Sequence, residues 1–177
     1  MKQDFEGLSH YAFIDFEASG LGPNSWPIEI GVSRILETGK VETWSSLIMR
    51  HATWLPEHWS PVSEQVHGIP FLSLDAAPPA EDVLRAFKKQ VGNRLIVADA
   101  PRFDGAWLRK LSVAAATDPS KFTIFDLIDY HQVAFDLLDD VDLDRVYEFL
   151  ETHKAPHRAG PDSRRLARAL VEAIKKS

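Results

Sequence analysis

The chain lacks cysteine altogether and contains no long hydrophobic run. None of its 177 residues is Cys, which excludes disulfide bonds, thiolate metal sites and a cysteine nucleophile. No stretch approaches the roughly 18 consecutive apolar residues of a membrane span. The opening residues, MKQDFEGLSH, lack the apolar centre of a secretory signal. These absences predict a cytoplasmic protein that does not contact membranes.

Positive charge is also in short supply. The chain contains 20 Lys and Arg residues and 26 Asp and Glu residues, which gives a net charge of −6. A protein that holds nucleic acid mainly through non-specific phosphate contacts is normally basic. A polyanionic partner must therefore meet a local basic patch or bound metal ions. The length, with 45% apolar and 26% charged residues, fits one globular domain over residues 1–177.

Hydrophobic patterning predicts an α/β protein. Five strands are expected, at residues 9–17, 28–36, 41–49, 94–100 and 123–128. Four helices are expected, at residues 80–91, 103–115, 141–152 and 161–175. Residues 51–79 hold five of the eleven prolines and should be irregular. The element order predicts a mixed sheet in which the first strands are antiparallel and the later ones parallel.

Two carboxylates stand on one face of the opening strand. Side chains alternate along a strand, so Asp15 and Glu17 point the same way in the segment YAFIDFE. Two uncompensated negative charges on a core strand resist desolvation. A purely structural role is therefore the weaker interpretation of this pair.

Two further acids lie near the starts of predicted helices. Asp104 shares a helical stripe with Trp107, and Asp162 shares one with Leu166. Both acids therefore face the core. An acid in the first turn of a helix also interacts favourably with the helix dipole, so a structural role stays open for each of them.

The four carboxylates need a counter-charge if they converge. Two like charges about 4 Å apart repel by roughly 4 kcal/mol at an effective dielectric constant near 20. Hard divalent cations remove this repulsion, because Mg²⁺ and Mn²⁺ prefer oxygen ligands. Two such ions about 3.5–4 Å apart form a clamp that cleaves phosphodiesters. The acids thus predict a site for two Mg²⁺ or Mn²⁺ ions.

His157 completes this set. It lies in the loop before the last helix, five residues before Asp162. An imidazole with an ordinary pKa near 6.5 suits a general base that takes a proton from the attacking water. The alternative is a solvated loop histidine, and the spacing to Asp162 is what favours the catalytic role.

These motifs resemble those of the DEDDh 3′→5′ exonucleases, which include RNase T, oligoribonuclease and the proofreading subunit of bacterial replicative polymerase. The resemblance covers nearly the whole chain in the family's order, through the segments FIDFEASGL, IEIGV, VHGI, RFDGAWL and HRAGPD. A sister group has Tyr at the position of Arg158, so the histidine branch fits.

The resemblance implies the fold and the roles of the residues. It implies an RNase H-like five-stranded mixed sheet of order 3-2-1-4-5 with helices on both faces. Asp15, Glu17, Asp104 and Asp162 would be the metal ligands, and His157 the base. Leu21 would wedge against the terminal bases, and the backbone near Ala18 and Ser19 would hold the 3′ nucleotide. The remaining residues that would contact the substrate are His67 and Phe103.

The chain departs from the family pattern in two places. Where many members carry His-Asn before the second motif, this chain has Asp99 and Ala100. That difference removes a polar amide from the neighbourhood of the site. In the third motif, Gly160 and Pro161 precede the Asp and should stiffen the loop that carries His157.

Aromatic and basic residues outside the motifs have two interpretations each. Trp54 and Trp59 either offer stacking platforms for bases or attach the proline-rich loop to the core. The arginines beside the third motif either bind phosphate or form an ordinary solvated face; they are Arg158, Arg164, Arg165 and Arg168. The sequence does not place Trp26.

The expected activity is a metal-dependent 3′→5′ exonuclease acting on the 3′ end of single-stranded DNA or RNA, including short oligonucleotides. A non-catalytic nucleic-acid-binding domain and a hydrolase of small phosphoesters or dinucleotides are the alternatives. The sequence does not distinguish DNA from RNA, and it leaves a homodimer as an open alternative.

Overall fold

The computed structural model describes residues 5–175. In that range a five-stranded sheet comprises β1 (Tyr11–Ala18), β2 (Pro27–Ile35), β3 (Val41–Leu47), β4 (Leu95–Ala98) and β5 (Leu127–Asp129). Seven α-helices accompany it: α1 (Glu6–Ser9), α2 (Pro61–His67), α3 (Ala80–Val91), α4 (Pro101–Ala114), α5 (Tyr130–Leu137), α6 (Asp140–Thr152) and α7 (Ala159–Lys175). None of these helices is long and apolar enough to cross a membrane.

The strands lie in the order β3-β2-β1-β4-β5. The first three form an antiparallel meander, and β4 and β5 join it in parallel. This is the RNase H-like arrangement that the family resemblance implies, and it confirms the predicted fold class. Parallel neighbours bring the carboxyl ends of β1 and β4 to one edge of the sheet, where sites are commonly built.

Each face of the sheet has its own apolar core. Ala12, Ile14 and Phe16 of β1 pack on the side of α3 and α4. Phe13 packs on the opposite side, against Tyr130 of α5 and the apolar stripe of α7. Because Asp15 and Glu17 share the face of Phe13, their carboxylates point towards the start of α7.

The sequence predictions were wrong about the last strand and missed three helices, α1, α2 and α5. The strand predicted at residues 123–128 is the three-residue β5, because its partner β4 offers only three paired positions. Helix α5 begins where the Asp129 side chain accepts hydrogen bonds from two backbone amides. Helix α2 begins at a Ser60 cap and ends at Gly68 with φ of 65°, inside the stretch predicted to be irregular.

Candidate active site

Three carboxylates meet at the carboxyl end of the central strand. Asp15 and Glu17 come from β1 and Asp162 comes from the first turn of α7. One oxygen from each lies within 4.8 Å of the others, and together they can hold a metal ion. Like charges at this separation repel by about 3 kcal/mol per pair at an effective dielectric constant near 20. The structure therefore brings these three predicted ligands together.

Small residues let α7 approach the sheet closely enough to deliver Asp162. A Cβ on Gly31 of β2 would lie 2.0 Å from the carbonyl oxygen of Ala159, which excludes any larger residue there. A Cβ on Gly160 would lie 2.8 Å from Ser45 Oγ of β3. Glycine at both positions thus fixes the depth at which the first turn of α7 sits against β2 and β3.

Asp104 lies on the other side of the cluster, at the start of α4. Pro101 is in the first turn, and the Asp104 amide donates to the Ala100 carbonyl at 3.1 Å. Trp107, about one turn further along α4, packs beside Phe16 and donates to Ser25 Oγ at 3.0 Å. The Asp104 side chain is buried and its charge reaches Asp15, so the fourth predicted ligand also faces the site.

Burial raises the pKa of every one of these acids, and repulsion from nearby carboxylates adds to it. Desolvation raises the pKa of Asp104 to about 8 and that of Glu17 to about 7. The pKa of Asp15 is raised well above its usual range by burial, and next by the charge of Asp104. Burial also raises the pKa of Asp162. Each shift reports that a negative charge at this edge is poorly compensated by the protein.

The donor set fits hard divalent cations. Asp104 Oδ2 and Asp162 Oδ1 are buried and accept no hydrogen bond from the residues that the structure describes. Within residues 5–175 none of the four acids forms a salt bridge. Carboxylate oxygens without partners are what Mg²⁺ or Mn²⁺ would use as ligands. The cluster is thus suited to bind metal, and a positive ion would lower the raised pKa values.

His157 stands in a strained loop next to this cluster. Its φ of 55° lies in the left-handed region, which is uncommon for a residue other than glycine. The next amide, that of Arg158, donates to Asp162 Oδ2 at 2.9 Å. The His157 side chain is exposed, and its charge acts on Asp162. The strained backbone is held by contacts on the carboxyl side of His157.

Glu29 supplies most of those contacts, and the sequence reading missed it. This buried carboxylate accepts from the Arg158 guanidinium at 3.0 and 2.7 Å, and from the Ala159 amide at 3.0 Å. It stands opposite Glu17 in the register of β1 and β2. In the sequence, Glu29 is the one charged residue in the apolar strand segment IEIGV, and this could have indicated its role. Arg158, which was grouped with the basic patch, is instead paired with this acid.

Comparison with known proteins assigns the family. A sequence profile of the RNase T exonuclease family matches residues 12–170. The chain belongs to this exonuclease family. That finding confirms the resemblance drawn from the motifs. No curated protein sequence matches the chain.

Solved exonuclease structures share the fold at low sequence identity. Escherichia coli exonuclease I in complex with a dT13 oligonucleotide superposes with a TM-score of 0.65 at 17% identity, covering 92% of this chain and 40% of its own. Cell-death related nuclease 4 gives a TM-score of 0.65 at 14% identity, with 97% and 65% covered. A 3′-exonuclease that recognises the histone mRNA stem-loop gives 0.64 at 17%, with 96% and 65% covered. The chain thus spans less than two thirds of these relatives.

In this exonuclease-family chain, Asp99 adds negative charge to the site. It directly follows β4, and its charge raises the pKa of Asp15 and of Asp104. From the sequence, this position was interpreted only as lacking the polar amide that many family members have. The structure shows that the substitution also places a fifth carboxylate near the cluster.

The residues expected to contact substrate are of two kinds. Leu21, in the loop after β1, is 77% exposed, and Phe103, the residue before Asp104, is 47% exposed, so both present apolar surface to solvent. Ala18 and Ser19 are buried at the end of β1. The Ser19 amide donates to the Trp26 carbonyl at 2.8 Å, and its own carbonyl accepts from Ser60 at 2.7 Å. Ser19 therefore holds the loop that displays Leu21.

His67 is buried with one nitrogen unused. Its Nδ1 accepts from the Ile69 amide at 3.0 Å, so Nε2 carries the proton of the neutral ring. Nε2 has no partner among the described residues. Burial lowers the pKa of His67, and the charges of Glu29 and Arg158 act on it, which places the ring close to the His157 loop.

The tryptophans attach the irregular segment to the core. Trp26 and Trp54 stack at 5.8 Å with an angle of 12° between the rings, and Trp59 packs on Trp26 at 5.6 Å. Trp26 and Trp54 are buried, and Trp26 donates to the Leu55 carbonyl at 3.2 Å. For Trp54 the structural interpretation is therefore confirmed, and Trp26 lies at the centre of this aromatic cluster.

Proposed function

We propose that this protein is a metal-dependent 3′→5′ exonuclease that removes nucleotides from the 3′ end of single-stranded DNA or RNA. The observation that carries the proposal is the convergence of Asp15, Glu17 and Asp162 within 4.8 Å at the end of β1, with Asp104 beside them. These four acids would hold two Mg²⁺ or Mn²⁺ ions. When bound, such ions stabilise the charge that develops on the attacking and leaving oxygens. We further propose that the whole chain works as one exonuclease domain.

His157 takes the role of general base in this proposal. Its exposed ring neighbours Asp162, so a water molecule can approach both the ring and the reacting phosphate. Removal of a proton from that water typically contributes about 10²–10⁴-fold to the rate. Glu29 and Arg158 act by keeping the loop in the strained conformation that presents the ring.

The 3′ end would be held by the residues around the acids. Leu21 and Phe103 offer exposed apolar surface to the terminal bases, while the backbone at Ala18 and Ser19 fixes the loop that carries Leu21. The His67 Nε2–H has no acceptor among the described residues. A sugar or phosphate oxygen of the bound substrate would accept its hydrogen bond. Exposed apolar residues suit the end of a polymer better than they suit a small phosphate.

The test is cleavage of 5′-labelled single-stranded DNA and RNA of several lengths, with Mg²⁺, with Mn²⁺ and with EDTA. We expect a ladder that shortens from the 3′ end, and we expect EDTA to abolish it. Label released as a single mononucleotide at once would indicate attack from the 5′ end. Binding of the strands without any cleavage would favour the non-catalytic alternative, and cleavage of dinucleotides alone would favour the small-substrate hydrolase.

Two pairs of variants assign the roles. Asp15→Asn should abolish cleavage, whereas Asp144→Asn, an exposed acid on α6, should leave it unchanged. His157→Ala should lower kcat by about 10²–10⁴-fold, whereas His10→Ala, at another exposed histidine, should not. Full activity in His157→Ala would remove the assignment of the base.

A further inference from the structure

A second concave site lies on the outer side of α7, next to the loop that carries His157. It has a volume of about 340 Å³. Thr43 and Ser45 of the edge strand β3 form one wall, and Phe149 and His153 at the end of α6 form the other. This cavity shares no residue with the acid cluster, so it is a separate site.

The cavity is strongly basic in a chain whose net charge is −6. Four cationic side chains line it: Lys154, Arg164, Arg165 and Arg168. Arg164 and Arg165 donate to neutral backbone carbonyls, among them Val41 at 3.1 Å and Leu150 at 2.7 Å. In the part of the chain that the structure describes, the only carboxylate paired with any of the four is Glu172, at a long 3.8 Å. The positive charge of the cavity is therefore largely uncompensated, which favours an anionic ligand.

The cavity also offers an aromatic surface. The rings of Phe149 and His153 stack with centroids 3.9 Å apart and an angle of 10° between them. Phe149 is half-buried, while His153 is exposed and closes the stack on the solvent side. Nucleic-acid bases stack on such rings largely independently of the base sequence. A bare phosphate or an acidic peptide would use the cations alone, whereas a nucleotide uses the cations and the ring together.

We propose that this cavity binds a nucleotide unit of the single strand at a distance from its reacting 3′ end, with phosphate on the arginines and a base on His153. The proposal rests on the exonuclease function proposed above. The first turn of α7 contributes Gly160 to the cavity and Asp162 to the acid cluster. At about 1.5 Å of rise per residue, Arg164 and Arg168 lie only about 3 and 9 Å further along the helix axis than Asp162. One strand can therefore reach both sites.

The test compares binding of fluorescein-labelled single-stranded DNA of 12 and of 3 nucleotides in EDTA, where cleavage is suppressed. The variant Arg164→Gln/Arg168→Gln should weaken binding of the 12-mer and leave that of the 3-mer nearly unchanged. Loss of two phosphate contacts should reduce the slope of log Kd against log salt by about 1.4. The wild-type Kd should then rise about 7-fold more than the variant Kd between 50 and 200 mM salt.

One further variant controls for a general effect of charge, and another tests the aromatic contact while keeping the cations. Arg85→Gln/Lys89→Gln makes the same charge change on α3, on the opposite side of the sheet, and should leave the 12-mer affinity unchanged. His153→Ala keeps all four cations and should weaken 12-mer binding about 5-fold or more, through loss of stacking.

The outcomes decide between the possible ligands. Equal loss of 12-mer and 3-mer binding, equal loss in the α3 control, or no 12-mer binding by the wild type would overturn the proposal. Displacement of the 12-mer by inorganic phosphate or a 5′-mononucleotide at equal phosphate concentration would mean a free-phosphate site and would also overturn it. Length-dependent binding in a protein that cleaves nothing with Mg²⁺ would support the cavity and reject the exonuclease.

Discussion

Replacing Asp104 by asparagine should stabilise the protein when divalent cations are removed. The Asp104 side chain is only 2% exposed, and burial raises its pKa from 3.8 to about 8. One pKa unit corresponds to about 1.36 kcal/mol. At pH 7 the unfolded chain ionises this group freely and the folded chain does not, which lowers the free energy of unfolding by about 4 kcal/mol. Asparagine has no charge to lose, and its amide can donate to the neighbouring Asp15.

The sign of the pH dependence follows from the raised pKa. Because the folded state holds its proton up to about pH 8 while the unfolded state releases it above pH 3.8, rising pH favours unfolding. This stability is fully present below pH 3.8 and is lost as pH rises through 8. Between pH 5 and 8 the metal-free protein should lose about 3–4 kcal/mol from Asp104 alone. Glu17, with its pKa raised to about 7, acts in the same direction.

Thermal unfolding in EDTA measures the effect. For a chain of this size, about 4 kcal/mol corresponds to a Tm increase of roughly 8–16 °C for Asp104→Asn at pH 7. The control Asp144→Asn, at an exposed acid on α6, should shift Tm by no more than about 2 °C. Mg²⁺ should raise the Tm of the wild type more than that of Asp104→Asn. An unchanged or lower Tm for Asp104→Asn in EDTA would refute the idea that this buried charge destabilises the metal-free protein.

Three other predictions test the surroundings of the site. Glu29→Ala leaves the Ala159 amide unpaired and should lower the free energy of unfolding by about 2–3 kcal/mol and kcat by at least 10-fold. Glu29→Gln keeps an acceptor for this amide and should recover much of the stability and of kcat. Equal kcat in the two variants would contradict a positioning role. Gly31→Ala puts a methyl group 2.0 Å from the Ala159 carbonyl and should unfold the protein or greatly lower its Tm, as thermal denaturation would show. His67→Asn keeps an acceptor for the Ile69 amide and should raise KM about 5- to 10-fold with stability changed by less than about 1 kcal/mol; an unchanged KM would remove His67 from the substrate contacts.

Local patterns were sufficient to predict most of the fold. Helix α3 was predicted with its observed bounds, because Leu84, Phe87 and Val91 form a clear apolar stripe on it. The short strand β5 was misplaced because its length is set by β4, a partner distant in sequence. Helix α5 was missed because its start depends on a side-chain cap by Asp129, which a periodicity argument does not weigh.

The acidic side chains of the site were predictable, but their supporting contacts were not. Asp15 and Glu17 were conspicuous because period-two alternation places two charges on one strand face. Glu29 was not, since its role depends on Arg158 and Ala159, about 130 residues later in the chain. Contacts of this kind follow from the register of β1 and β2 and from the depth at which α7 packs, and neither can be read from one segment.

Helix α7 would allow this acidic chain to bind the polyanionic substrate proposed above. Its first turn directs Asp162 into the cluster, while its outer side presents Arg164 and Arg168 to the basic cavity. Two bound divalent cations carry four positive charges, which would change the formal net charge from −6 to −2. The negative charge is thus concentrated where metal ions would neutralise it, and the largely uncompensated positive charge of Arg164 and Arg168 lies within about two turns of Asp162 on the same helix. Substrate affinity should therefore depend on metal binding at the acid cluster and on salt concentration at the basic cavity, and the two dependences should be separable by Asp162→Asn and Arg168→Gln.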